Sequence, residues 1–144
     1  IQTADILQIG SRNMQNLELL REVAKTGKPI ILKRHFGASL RDWFGAAEHI
    51  LVEGNENLIL CERGIAAPHT HKITSRFILD IQAIVAANEL TTFPIISDPS
   101  HASFWAPWVE KLALASSNLP SSCSVTPKLP WASAKSGFNS IACL

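Results

Sequence analysis

Four stretches of this 144-residue chain place charged groups or an imidazole directly after short apolar runs. Ser11–Arg12–Asn13 follows "ILQIG", Lys33–Arg34–His35 follows "IIL", Glu62–Arg63 follows "LILC", and Asp98–Pro99–Ser100–His101 follows "IIS". Gathered in one place, these residues would combine at least three cations, two carboxylates and an imidazole. A guanidinium binds phosphate or carboxylate oxygens through a planar fork, and an ammonium meets them as a point charge. Arg12 and Lys33 therefore point to an anionic ligand. Each group also has an ordinary explanation. A lone strand-end Lys or Arg is most often a solvated loop charge. Asp98 before Pro99 suits an Asx-type turn, and a single strand-end His is commonly a hydrogen-bonded structural residue. Recurrence at four consecutive apolar runs favours a shared site over four coincidences.

The elements that would position these groups follow a repeating pattern. "ADILQIG" (Ala4–Gly10), "KPIILKR" (Lys28–Arg34), "NLILCERG" (Asn57–Gly64) and "FPIISDPSH" (Phe93–His101) are near-continuously apolar, as strands buried on both faces are. Amphipathic stretches lie between them. Leu17, Leu20 and Val23 share a stripe in Met14–Ala24. Trp43, Ala46, Ala47, Ile50 and Leu51 share one in Ser39–Val52, and Phe77, Ile81, Ile84 and Val85 recur at helical spacing in Phe77–Leu90. Ser39–Asp42 reads as a capping box, and "TGKP" and "EGNEN" supply glycine stops. Strand–helix alternation implies parallel pairing with right-handed crossovers, in an open doubly wound sheet or a (β/α)8 barrel. Both architectures put function at the carboxyl ends of the strands, which is where the charged groups fall.

Composition narrows the class. Hydrophobic residues make up 47% and charged residues 17%, with a formal charge of +1, so nothing in the charge balance favours nucleic acid or an anionic membrane. No apolar run approaches the roughly 18 residues of a membrane span. Cys61, Cys123 and Cys143 are odd in number and irregularly spaced, which argues against a disulfide framework and for a reducing, cytoplasmic setting. Cys61 is expected to be a small buried residue on a strand.

"DILQIGSRNMQN", "KPIILKR", "GNENLILCERGI" and "PIISDPSHA", in that order, closely resemble 3-deoxy-7-phosphoheptulonate synthase (DAHP synthase) in its smaller bacterial subfamily. The likeness runs from about Ala4 to Ser116. It implies an α/β fold that is part of a (β/α)8 TIM barrel, about four parallel strands corresponding to the family's fourth to seventh. It also implies a transferase that condenses phosphoenolpyruvate with erythrose 4-phosphate in the shikimate pathway, with a divalent metal such as Mn2+. Arg12 matches the arginine of the family's G-A-R-N motif, Lys33 the lysine of K-R-G and Arg63 the arginine of C-E-R-G. The resemblance makes all three substrate-binding residues, for the phosphate or carboxylate of phosphoenolpyruvate. His101 matches the histidine of D-P-S-H, a metal ligand beside the substrate, and Lys33 and His101 are the expected catalytic pair. The 3-deoxy-octulosonate-8-phosphate synthases share "ERG" and the barrel and form the near alternative; a non-catalytic phosphate- or carboxylate-binding fragment is another.

The chain departs from the family pattern at several points. Ser11 replaces an alanine, His35 stands where K-R-G has glycine, and Ala66 stands where an arginine follows "CERGI". "HTH" (His69–His71) in the next connection reads as a solvated polar loop more readily than as a metal pair. The family's first three strands are expected upstream of Ile1, with a metal-binding cysteine and a substrate loop. After Glu110 there is no Asp or Glu, so the metal-ligating glutamate that the resemblance expects with the eighth strand, and the later aspartate, are not matched. The expectation is a partial barrel over residues 1–117 and an irregular tail over 118–144, with Trp131, Phe138 and Ile141 as candidate cover for an exposed face. Open sheet edges make a second copy a possible partner, and the isolated chain is expected not to turn over substrate.

Overall fold

The computed structural model describes residues 3–68, 76–103, 105–118 and 141–143. Five strands form one sheet: β1 (Ile6–Ile9), β2 (Ile30–Lys33), β3 (Leu58–Glu62), β4 (Ile95–Ser97) and β5 (Ile141–Cys143). Their spatial order is β4-β3-β2-β1-β5, and every pairing is parallel. The helices are α1 (Leu17–Ala24), α2 (Leu40–Val52), α3 (Ile81–Leu90), α4 (Pro99–Ala102) and α5 (Ala106–Ser117). The register sets Leu7 beside Ile30, Ile30 beside Leu58, Lys33 beside Cys61 and Glu62 beside Ser97, so the strand ends finish side by side.

Alternation along the strands divides the sheet into two faces. Leu7, Ile9, Ile30, Leu32, Leu58 and Leu60 pack with Leu20, Val23, Trp43, Ala46, Ala47 and Ile50 in the main core. Trp43 is fully buried, and its indole Nε1 donates to the Leu32 carbonyl at 3.2 Å, so its one polar atom is satisfied. The opposite face carries a second buried cluster of Ile6, Ile31, Ile59 and Cys61. Cys61 is a free, buried thiol whose pKa burial pushes up to about 12.

Local chemistry explains the boundaries. The capping box at Ser39 forms as expected: Asp42 N donates to Ser39 Oγ at 3.2 Å, and Ser39 N donates to Asp42 Oδ2 at 2.9 Å. The chain leaves α1 and α2 through Gly27 and Gly54, both at positive φ. Helix α1 begins at Leu17 instead of Met14, because Asn16 caps it through Leu19 N and residues Ser11–Asn13 form a separate 3-10 turn. Helix α3 begins at Ile81 instead of Phe77. Asp80 accepts from Ala83 N at 3.0 Å, while Ile78 forms an antiparallel bridge with Ile65. The expected fourth strand stops at Ser97, where Asp98 caps the short α4.

The expected tail differs at one point. Ile141–Cys143 is a strand, where the composition of 118–144 suggested irregular chain throughout. β1 would otherwise be a sheet edge with unpaired backbone groups, and a short apolar segment can pair with it. The expected contacts of Trp131 and Phe138, and the "HTH" segment at His69–His71, lie outside the described residues. No helix among the described residues is long and apolar enough to cross a membrane.

Candidate functional site

At the carboxyl ends of the strands lies a cavity of about 400 Å³. Arg12, Lys33, Arg63 and His101 all line it, each delivered by the end of a different strand. Gln8, Phe36, Arg76 and Phe77 complete much of the wall. Parallel pairing produces this convergence, because all the strands run the same way and so end on the same rim.

Arg63 is almost wholly buried, and its Nη1 has no hydrogen-bond partner among the described residues. Its guanidinium carbon sits 4.5 Å from the Phe77 ring centroid, and that of Arg76 sits 5.1 Å from the same ring. Phe77 in turn stacks on Phe36, with centroids 5.3 Å apart. An aromatic face satisfies a guanidinium face and leaves its N–H edge for anion oxygens. Burial lowers the Arg63 pKa, and the Arg76 charge lowers it further. Two like charges held together in this way favour any anion that enters between them.

Gly64 lets Phe77 take this place. Its φ is +101°, and a Cβ there would lie 2.7 Å from Phe77 Cβ and 3.2 Å from Ala102 Cβ. The amides of Arg76 and Phe77 both donate to the Ala102 carbonyl, tying the segment before α3 to the end of α4.

Lys33 Nζ donates to Asp98 Oδ2 at 2.6 Å, and His101 Nδ1 lies 2.6 Å from the same oxygen. Ser100 Oγ donates to Asp98 Oδ1 at 2.6 Å, and His101 N donates to Oδ1 at 3.2 Å. Burial opposes ionisation of Asp98. The hydrogen bonds from Lys33 and Ser100 and the charges of Lys33 and His101 outweigh it, holding the carboxyl down at about 2. Asp98 is thus both a helix cap and the link between Lys33 and His101, a function that an isolated Asx turn would not have.

Among the described residues, no group of three or more His, Cys, Asp or Glu side chains is arranged to hold a metal ion. Around His101 the structure offers one carboxylate, already engaged by Lys33. These donors do not complete a site for a hard divalent ion, which prefers several oxygen ligands.

Strand ends read singly do not place Arg76, Phe77 or Gln8 in the site, and they give Asp98 without its partner Lys33. Gln8 and Lys33 have the parity of Ile6 and Ile31, so strand alternation could have put both on the cavity face. Arg76 and Phe77 carry no such signal, since they reach the cavity from an irregular connection.

Fold and site together define the chain as a segment of a parallel (β/α) barrel with a cavity lined by cationic side chains at the strand carboxyl ends. The DAHP synthetase I family matches residues 1–112, and the chain belongs to that family. It is 42% identical over 99 residues to phospho-2-dehydro-3-deoxyheptonate aldolase of Thermotoga maritima, covering 69% of this chain and 28% of that protein. A 2-dehydro-3-deoxyphosphooctonate aldolase of Bordetella avium is 32% identical over 101 residues, covering 70% of this chain and 34% of that protein. The crystal structure of the Thermotoga maritima DAHP synthase superposes with a TM-score of 0.75 at 39% identity, covering 79% of this chain and 33% of that one. A truncated form of that enzyme gives a TM-score of 0.74 over 80% of this chain and 43% of the other. The chain therefore spans roughly a third of the length of the relatives it matches, and β1 to β4 are strands of a partial TIM barrel.

Proposed function

We propose that this chain carries part of the substrate site of a DAHP synthase, the part that holds phosphoenolpyruvate. Arg12, Lys33 and Arg63 bind its phosphate and carboxylate, and erythrose 4-phosphate is the co-substrate in the whole enzyme. The observation that carries the reading is the meeting of these three cations in one cavity, with Arg63 Nη1 buried and lacking a hydrogen-bond partner among the described residues. Unpaired buried N–H groups are rare in proteins, and an anion is the natural acceptor for this one.

In the overall reaction, the phosphoenolpyruvate methylene carbon bonds to the aldehyde carbon of erythrose 4-phosphate, water adds to the phosphate-bearing carbon, and phosphate leaves. Fixed cations favour that sequence by holding the anionic substrate and meeting charge that shifts onto its oxygens. With Lys33, His101 is the catalytic residue of this proposal. Its Nδ1 faces Asp98, which leaves Nε2 as the nitrogen this chain would contribute to the family's divalent metal. The identity to the Thermotoga DAHP synthase exceeds that to the octulosonate relative, 42% against 32%, and favours the heptulosonate reaction over that alternative. The buried, free Cys61 agrees with a reducing cytoplasmic setting.

Calorimetric titration of the purified chain with phosphoenolpyruvate tests the reading. Binding is expected without added metal, about tenfold or more weaker in Lys33→Ala. No turnover is expected when erythrose 4-phosphate and Mn2+ are added. Absence of phosphoenolpyruvate binding, or binding unaffected by Lys33→Ala, would overturn it.

A further inference from the structure

Lys33 and Arg63 face the cavity, while their chain neighbours Arg34 and Glu62 point to the other side of the sheet and are buried there. Strand alternation forces this split, since Arg34 follows the parity of core residue Leu32 and Glu62 that of Leu60. Arg34 Nη1 donates to Glu62 Oε2 at 3.0 Å and to Asp80 Oδ2 at 2.9 Å, and its Nε donates to the Ala38 carbonyl at 3.0 Å. Glu62 Oε1 accepts from Gly64 N at 2.7 Å and from Asp80 N at 3.5 Å. Asp80 Oδ1 accepts from Ala83 N and caps α3. One cluster thus joins the end of β2, the turn before α2, the end of β3, the Gly64 turn and the start of α3.

Stability alone is a poor explanation for such a cluster. Glu62 is fully buried, and burial raises its pKa against the opposing pull of the Gly64 amide and Arg34. Taking both charges out of water is expensive, and well-packed apolar residues in place of a buried ion pair are often as stable or more so. What apolar residues cannot supply is direction. The bonds from Arg34 Nε and to Glu62 Oε1 hold the two backbone segments that carry Lys33 and Arg63.

We propose that Arg34, Glu62 and Asp80 form a positioning brace that sets the separation and orientation of Lys33 and Arg63 across the cavity. The brace acts on the anion site and rests on the reading of that cavity as the phosphoenolpyruvate site. None of its three members lines the cavity, so each acts through its neighbour.

The test compares the full chain with Arg34→Met combined with Glu62→Leu, and with Glu62→Gln as a milder variant should the double variant not fold. Three readouts are taken: thermal melting, calorimetric affinity for phosphoenolpyruvate, and the Arg63 side-chain Nε–Hε resonance by NMR. Melting is expected to fall modestly, since Asp80 loses Arg34 and the Gly64 amide loses its acceptor, with affinity about tenfold or more weaker and an Arg63 resonance shifted and broadened before any ligand is added. Wild-type affinity with an unchanged Arg63 resonance in a folded variant would overturn the brace. If the wild-type chain itself fails to bind phosphoenolpyruvate, the ligand reading falls, and the Arg63 resonance alone decides the brace.

Discussion

The carboxylate of Asp98 lies 2.6 Å from the ammonium of Lys33, a residue 65 positions earlier in the chain. Lys33 ends β2 and Asp98 follows β4, and the two strands are separated by β3, so the pair closes over an intervening strand. The same carboxylate oxygen faces His101 Nδ1.

This arrangement predicts an acid-sensitive element. The folded-state value of Asp98 is about 2, against a usual 3.8. A lowered carboxyl contributes stability that is complete above its unfolded value and lost as pH falls through the folded one. The window therefore runs from about pH 4 down to about pH 2. Glu62 has the opposite sign: its raised value favours the folded state most at low pH. The urea midpoint of wild type is expected to fall across that window. Asp98→Asn is expected to begin lower at neutral pH and to fall less steeply. Parallel curves for the two proteins would show that the Lys33–Asp98 pair is energetically silent.

Gly64 holds the Phe77 ring in place. Gly64→Ala must hold an alanine at a φ of +101° and place its Cβ 2.7 Å from Phe77 Cβ. Strain of that kind costs about 1–3 kcal/mol. The neighbour it pushes is the ring beneath Arg63, so affinity for phosphoenolpyruvate is expected to fall along with the melting temperature. A variant that binds normally would mean that Phe77 does not set the place of Arg63.

Much of this architecture is legible in the residues because buried parallel strands and capped helices have local causes. The apolar runs mark β1 to β4, and Ser39 with Asp42 marks the start of α2 without help from distant parts of the chain. The convergence of Arg12, Lys33, Arg63 and His101 was legible too, since parallel strands end on one rim. What local reading could not provide was partnership. Nothing near Asp98 in sequence tells that Lys33 will reach it, because that contact depends on strand order. Nothing in "SRFILD" shows that Ile78 will pair with Ile65 before a helix can begin.

Ser39→Ala separates fold from site. Ser39 Oγ accepts from Asp42 N, and Asp42 Oδ2 accepts from Ser39 N, at the exposed start of α2. Loss of such a cap costs about 1 kcal/mol. Ser39 does not line the cavity, so phosphoenolpyruvate affinity is expected to stay at the wild-type value while thermal melting shifts down. A parallel loss of affinity would indicate that the cavity responds to any loss of stability.

At Arg63, function and stability are opposed. Arg63 holds a buried guanidinium whose Nη1 lacks a hydrogen-bond partner among the described residues, beside the charge of Arg76. An unsatisfied buried polar group costs about 1–3 kcal/mol. Arg63→Met keeps a flexible stem against the Phe77 ring while removing the charge and the orphaned donor. The variant is expected to melt at or above the wild-type temperature, and calorimetry is expected to show no phosphoenolpyruvate binding. Arg63→Lys retains the charge without the planar fork, so it should bind weakly and melt below the methionine variant. If Arg63→Met instead unfolds the chain, the guanidinium belongs to the fold, and Arg12 and Lys33 alone remain to bind the anion.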